Sequence, residues 1–260
     1  MNAIVLAGGI PQPDDPLYVY TQGKPKSLLD IAGKSMLQWV LDALDGSEHV
    51  DNIVIVGLDD PVELDCSKTV TLIPNRGGML ANARAGLHHV TETDPEAELA
   101  LVVSADIPAI TAEMVDWTVK TAQESDHDLY YNLIERDVME HRYPQSNRSF
   151  VHMKDAVVCG GDMNVIRCDA AVGNDEFWER AIAARKNVFK QAALIGYGTL
   201  FLMLIRQLSI EAAVQRGFKK LGFRCRTILC PYPEIGMDVD KPYHVDILRA
   251  DLEGKKPHES

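Results

Sequence analysis

The chain is short of positive charge. Its 26 lysines and arginines stand against 38 aspartates and glutamates, a net charge of −12. That balance argues against a non-specific nucleic-acid binder, whose affinity comes from neutralising phosphates. Any anionic ligand must then be met by a few well-placed cations or by a metal ion. Cysteine is also scarce. Cys66, Cys159, Cys168, Cys225 and Cys230 are odd in number and form no C-x-x-C. Neither a disulfide framework nor a zinc site is expected, and reduced thiols in a cytoplasmic protein are. No basic segment precedes the first apolar run, so no signal peptide is expected. The most apolar stretch, 192–205, is interrupted by Gly196 and Gly198 and falls short of the ~20 residues that span a bilayer. It reads as a buried helix, with a contact between copies of the chain or with a membrane surface as the other reading. Two phosphate motifs are missing. Gly33-Lys34-Ser35 ends like a P-loop, but Leu28 stands where the earlier glycine belongs, and no G-x-G-x-x-G follows a strand.

What is present begins at the N-terminus. Ala3-Ile4-Val5-Leu6-Ala7 is a short apolar run closed by Gly8-Gly9, the pattern of a buried strand ending in a turn. Two glycines there let the backbone approach a bulky ligand, and amides in such a turn can hold phosphate oxygens. Lys24 and Lys26 follow, and Ser35 with Gln38 forms a capping-box pattern before a helix carrying Met36, Leu37, Val40, Leu41 and Leu44 on one face. A second strand is expected over 53–56 and a third over 69–73. Asn75-Arg76-Gly77-Gly78 then precedes a helix bearing Asn82. A solvated helix position is the other reading of Asn82.

The run 99–103 is the most apolar strand of the first half and ends in Ser104-Ala105-Asp106-Ile107-Pro108. An aspartate at the carboxyl end of a central strand stands where open α/β sheets bind ligands. From 128 to 167 strand-like runs are split by polar loops, which reads as a β-rich insertion covering one face of the sheet. It carries Arg142 and Arg148, and Gly160-Gly161-Asp162 follows one of its strands. A charged helix over 176–189, with Lys186, and another from Ser209 come next. The last informative stretch is Gly236-Met237-Asp238-Val239-Asp240-Lys241-Pro242.

Leu6-Ala7-Gly8-Gly9, Lys26, and the run Leu28 to Leu37 together resemble the opening signature of the nucleotidyltransferase superfamily. That superfamily includes the molybdenum cofactor guanylyltransferases and cytidylyltransferases and the sugar-phosphate nucleotidyltransferases. The resemblance covers 1–111 and 236–252. It implies a three-layer α/β sandwich with a mostly parallel central sheet, of the nucleotide-diphospho-sugar transferase (GT-A-like) type. It implies that Leu6 to Gly9 and Lys26 wrap a triphosphate, that Asn75, Gly77, Gly78 and Asn82 meet the base, and that Asp106 and Asp240 bind Mg²⁺. It places the acceptor near Gly160, Gly161 and Asp162, and we add Arg142, Arg148 and Lys186 as anion-binding candidates. The implied activity is transfer of a nucleoside monophosphate from GTP or CTP to a phosphorylated small molecule, with release of pyrophosphate. This chain departs from the pattern at 10–16, where an acidic, proline-rich loop replaces a serine and an arginine. Lys24 is the expected stand-in. A GT-A glycosyltransferase or a catalytically silent nucleotide-binding protein are the alternatives. One domain is expected over 1–252, with a nucleotide half (1–125), an acceptor half (126–230), a metal-binding turn and helix (231–252) and a frayed tail (253–260).

Overall fold

A computed structural model of the chain describes residues 1–173, 178, 206–219 and 222–254. Its elements in order are β1 (Asn2–Leu6), α1 (Tyr18–Thr21), β2 (Asp30–Ile31), β3 (Lys34–Ser35), α2 (Met36–Gly46), β4 (Asn52–Val56), β5 (Thr69–Ile73), α3 (Met79–Thr93), β6 (Leu99–Ser104) and α4 (Ala112–Gln123). There follow β7 (Leu129–Glu135), α5 (Arg136–Arg142), β8 (Val151–His152), β9 (Val157–Gly160), β10 (Met163–Arg167), α6 (Cys168–Val172), α7 (Ile210–Lys219), β11 (Cys225–Leu229) and α8 (Pro242–Leu252). Short 3-10 turns lie at Lys26–Leu28 and Pro233–Gly236.

All strands but β2 and β3 join one sheet in the order β5-β4-β1-β6-β10-β7-β9-β8, with β11 on the other edge of β7. β5, β4, β1 and β6 are parallel, as are β7 and β11, and only β9 and β10 run against the rest. Two of its connections follow from strand–helix alternation, α2 returning the chain from β1 to β4 and α3 from β5 to β6, while β4 and β5 are joined by 57–68 without a helix.

β1 is central and has apolar residues on both faces. Ala3 and Val5 point into a core shared with Leu37, Leu41 and Leu44 of α2, Val115 of α4, and Val245 and Leu248 of α8. Ile4 points the other way, against Leu87 and Val90 of α3 and Ala171 of α6. The sheet is therefore sandwiched between two helical layers. Each fully buried Leu or Ile contributes on the order of 2 kcal/mol. Ser35 accepts from the Gln38 amide at 3.1 Å and so caps α2. The reciprocal half of the box does not form, since the Gln38 side chain donates to Asp42 and to the carbonyl of Asp65.

The expectation of an insertion covering one face needs correcting. The segments β7, β9 and β10 lie within the sheet. β10 pairs antiparallel with both β6 and β7, closing the gap between the parallel half and the second half. Tyr130 and Val165 alternate into the main core, as residues of a central strand do. The expected helix 176–189, with Lys186, and the apolar stretch 192–205 lie outside the described residues.

Candidate active site

The carboxyl ends of β1 and β6 open into a cleft of about 530 Å³. Its walls include Leu6, Ala7, Gly8, Gly9, Lys26, Asn75, Gly77, Gly78, Asn82 and Asp106. These come from four separate stretches of sequence, brought together because β1 pairs with β4 and β6 and their loops leave the sheet on one edge.

The first turn is held from behind. A Cβ on Gly8 would lie 2.4 Å from Asn82 Nδ2 and 3.1 Å from the Gly57 Cα. Gly57, at the end of β4, has φ +120°, and a Cβ there would lie 2.3 Å from the Gly8 backbone. Two glycines thus pack backbone to backbone. Gly9 is different, since a Cβ there would meet nothing within 4 Å. Gly8 seats the turn, and Gly9 presents it to the cleft. Among the described residues nothing accepts from the amides of either glycine. Their carbonyls are occupied: Gly9 accepts from the Lys26 amide at 2.7 Å and Gly8 from Asn75 Nδ2 at 3.2 Å. Ser27 Oγ donates to the Ala7 carbonyl at 3.0 Å.

Asn75 joins the two glycine turns. Its Oδ1 accepts from the Gly77 amide at 3.0 Å and from Asn82 Nδ2 at 3.3 Å. Asn82 is 1% exposed, not solvated, and its Oδ1 accepts from the Arg76 amide at 2.7 Å. Both ends of the Asn82 amide therefore shape the second loop.

The charged centre lies at one side of the cleft. Lys26 Nζ stands 2.5 Å from Asp106 Oδ2 and 3.0 Å from Asp240 Oδ1. Asp106, Asp238 and Asp240 each offer an oxygen, all within 4.8 Å of one another. Ser104 Oγ donates to Asp106 Oδ1 at 2.5 Å. The Arg148 guanidinium pairs with Asp238, whose carbonyl also accepts from it at 3.3 Å. The Asp240 amide donates to His244 Nδ1 at 3.1 Å, so His244 Nε2 carries the proton and donates to the Ser146 carbonyl at 2.9 Å. His244 is buried, and that burial holds its pKa below the ordinary histidine range.

Electrostatics follow from crowding. Burial and the neighbouring Asp106 push the Asp162 carboxyl up to about 7. Burial pushes Asp238 up as well, helped by its hydrogen bond with Asp240 and by the Asp162 and Asp106 charges, and Arg148 offsets only part of this. Asp240 goes the other way. Burial would raise it, but the hydrogen bond from Asp238 and the Lys26 ammonium carry it below the carboxylate range. The donors are all carboxylate oxygens, hard ligands of the kind Mg²⁺ takes a few at a time beside water and phosphate oxygens. The cluster fits that ion.

Not every expected residue arrives here. Lys24 is exposed after α1 and does not line the cleft. Arg142 is committed elsewhere, at 3.1 Å from Glu234 and 2.5 Å from Asp251. Arg148 reaches the site, but its guanidinium is paired with Asp238. Gly160 and Gly161 close the turn between β9 and β10, with the Gly161 amide on the Asn132 carbonyl at 2.9 Å. Asp162 is tied into the centre, accepting from the Ser104 amide and donating its own to Ile235, each at 2.8 Å. Four residues were missed: Gly57, Ser104, Ser146 and His244. A glycine closing an apolar strand was a readable sign for Gly57, and Ser104 stood inside a quoted motif. Nothing local marks Ser146 or His244.

The architecture is that of the nucleotide-diphospho-sugar transferase-like α/β proteins. The MobA-like NTP transferase domain model matches residues 3–144, and the chain belongs to that family, the nucleotidyltransferases. The chain is 28% identical to a hypothetical transferase from Thermus thermophilus (TM-score 0.81, covering 94% of this chain and 98% of that one). It shares its fold with 4-diphosphocytidyl-2C-methyl-D-erythritol synthase from Anaerococcus prevotii (13% identity, TM-score 0.58, 97% and 95% coverage). It also shares its fold with CMP:2-keto-3-deoxy-manno-octonic acid synthetase complexed with CTP (16% identity, TM-score 0.58, 98% and 99% coverage). None of the helices among the described residues is long and apolar enough to cross a membrane.

Proposed function

We propose that this enzyme transfers a nucleoside monophosphate from a nucleoside triphosphate to a phosphorylated small molecule and releases pyrophosphate, using Mg²⁺. The observation that carries this reading is the placement of Lys26, Asp106 and Asp240 around one point beside an open glycine turn. The amides of Gly8 and Gly9 and the Lys26 ammonium bind the β- and γ-phosphates, which become the leaving pyrophosphate. Asp106 and Asp240 hold Mg²⁺, with Asp238 behind them. When bound, that ion supplies charge neutralisation at the phosphate oxygens. Ser104 orients Asp106, and His244 orients the backbone of Asp240. Gly77 and Gly78 face the base, in a loop set by Asn75 and Asn82.

A phosphate monoester is already mostly dianionic at neutral pH, with a second pKa of about 6. Such a nucleophile needs positioning more than deprotonation. That agrees with a cleft whose lining holds glycine turns, the amides of Asn75 and Asn82, the carboxylates of Asp15 and Asp106, and Lys26. The acceptor then approaches from the side of Asp162 and Gly161. CTP and GTP are the donors to try first, and the cytidylyl chemistry in the names of two fold relatives favours CTP. The test is pyrophosphate release with each of the four triphosphates, Mg²⁺ and a panel of phosphorylated sugars, polyols and pterins. Acceptor-dependent release with one triphosphate is expected. Transfer of a sugar from a nucleotide-sugar, with no pyrophosphate from any triphosphate, would overturn the reading.

A further inference from the structure

We infer that Lys26 is a tethered counter-ion that occupies the metal position until a metal–nucleoside triphosphate complex displaces it. The inference rests on the reading above, in which Asp106 and Asp240 hold the metal. The Lys26 ammonium lies between those two carboxylates, within 2.5 Å of one and 3.0 Å of the other. The ammonium therefore stands in the place where carboxylate oxygens converge.

Its root is fixed as well. The Lys26 amide donates to the Gly9 carbonyl at 2.7 Å, so the side chain starts from the phosphate turn and ends at the acidic pair. Among the described residues lining the cleft, Lys26 is the only cation, and Asp15 and Asp106 line it too.

These facts set the order of events. A bare divalent ion must compete with an ammonium that is covalently held at high local concentration. A bare triphosphate enters a cleft whose one cation is already neutralised by two carboxylates. The complex of the two meets neither obstacle. Its metal replaces the ammonium at Asp106 and Asp240, and the freed ammonium pairs with the phosphate that arrived with the metal. Metal and nucleotide therefore bind with positive coupling, and the coupling runs through Lys26. Linkage requires each ligand to strengthen the other by the same factor.

The experiment measures Mn²⁺ binding from the electron paramagnetic resonance signal of the free ion. The proteins are the wild type, Lys26→Met and Lys26→Gln, each with and without an α,β-methylene triphosphate. Circular dichroism confirms folding, and the glutamine variant serves if the methionine variant does not fold. We expect the variants to bind Mn²⁺ alone about tenfold or more tighter than the wild type, within the usual range of such couplings. We expect the nucleotide to strengthen Mn²⁺ binding far more in the wild type than in the variants. Wild-type protein binding Mn²⁺ alone as tightly as the variants would overturn the inference and leave the metal site standing. A second control adds Asp106→Asn to each Lys26 variant. If Mn²⁺ binding survives that change, the metal-site reading itself has failed.

Discussion

The Val239 amide donates to the Asp106 carbonyl at 3.0 Å. That bond fastens the C-terminal turn to the end of β6 and sets Asp240 opposite Asp106. The two carboxylates belong to distant parts of the chain, and neither position has meaning for a shared ion without this junction. β10 supports it from below, since the Ser104 amide also donates to Asp162 at the start of that strand. The centre is thus assembled by the sheet and not by any one loop.

Asp106→Asn tests the first carboxylate. The substitution keeps the shape and hydrogen-bonding reach of the side chain and removes a charge from a crowded cluster. Pyrophosphate release should fall by about 10²–10³-fold in kcat/KM, with a melting temperature no lower than that of the wild type. Activity near the wild-type level at ordinary Mg²⁺ would remove Asp106 from the reaction.

The two glycines of the first turn should respond differently to the same substitution. Gly8→Ala places a methyl 2.4 Å from Asn82 Nδ2 and against the Gly57 backbone. It should cost about 1–3 kcal/mol of stability, read as a lowered denaturant midpoint. Gly9→Ala meets nothing within 4 Å and should fold like the wild type. Its effect should appear as a raised KM for the triphosphate, because the methyl projects into the cleft. Equal stability losses in the two variants would contradict this division of labour.

Asn82→Ala removes the amide that orders the second loop and leaves the Arg76 N–H without its acceptor. The expected cost is about 1–3 kcal/mol. KM for the nucleotide should rise and kcat should change little, since Asn82 is bonded within the second loop and not to the carboxylate centre. Discrimination among bases should weaken as the loop loosens. Steady-state kinetics with all four triphosphates decide this, and unchanged KM values and discrimination would detach the loop from nucleotide binding.

His244→Phe fills the same space but can neither accept from Asp240 nor donate to Ser146. Groups that orient metal ligands typically alter metal affinity by about 10–100-fold when lost. The Mg²⁺ concentration for half-maximal activity should rise by about tenfold. A lower melting temperature with an unchanged Mg²⁺ requirement would reduce His244 to packing.

How much of this was readable in the sequence depends on distance along the chain. Ala3 to Gly9 and Ser104 to Pro108 are strand-and-turn patterns whose meaning is local, and their strands and turns lie where the residues indicated. The α2 face was legible for the same reason: Met36, Leu37, Val40, Leu41 and Leu44 are all buried. The place of β10 between β6 and β7 was not legible, because pairing partners are chosen by tertiary packing and not by the strand itself. Long cations were the least readable. Arg142 and Arg148 were marked for an anionic ligand, yet Arg142 found Glu234 and Asp251 and Arg148 found Asp238, carboxylates of α8 and of the turns leading into it that no local pattern announces. His244 was invisible because its role consists of two hydrogen bonds to backbone atoms, one four residues back at Asp240 and one far away at Ser146.

The central claim is that Asp106 and Asp240 share one metal ion with a triphosphate seated on Gly8 and Gly9. The most direct measurement is an anomalous difference map from crystals grown with Mn²⁺ and an α,β-methylene triphosphate. A manganese peak bonded to both carboxylates and to a phosphate oxygen, with the outer phosphates on the glycine turn, is the predicted result. A peak away from those carboxylates, or phosphates bound without contact to Gly8, Gly9 and Lys26, would contradict the account.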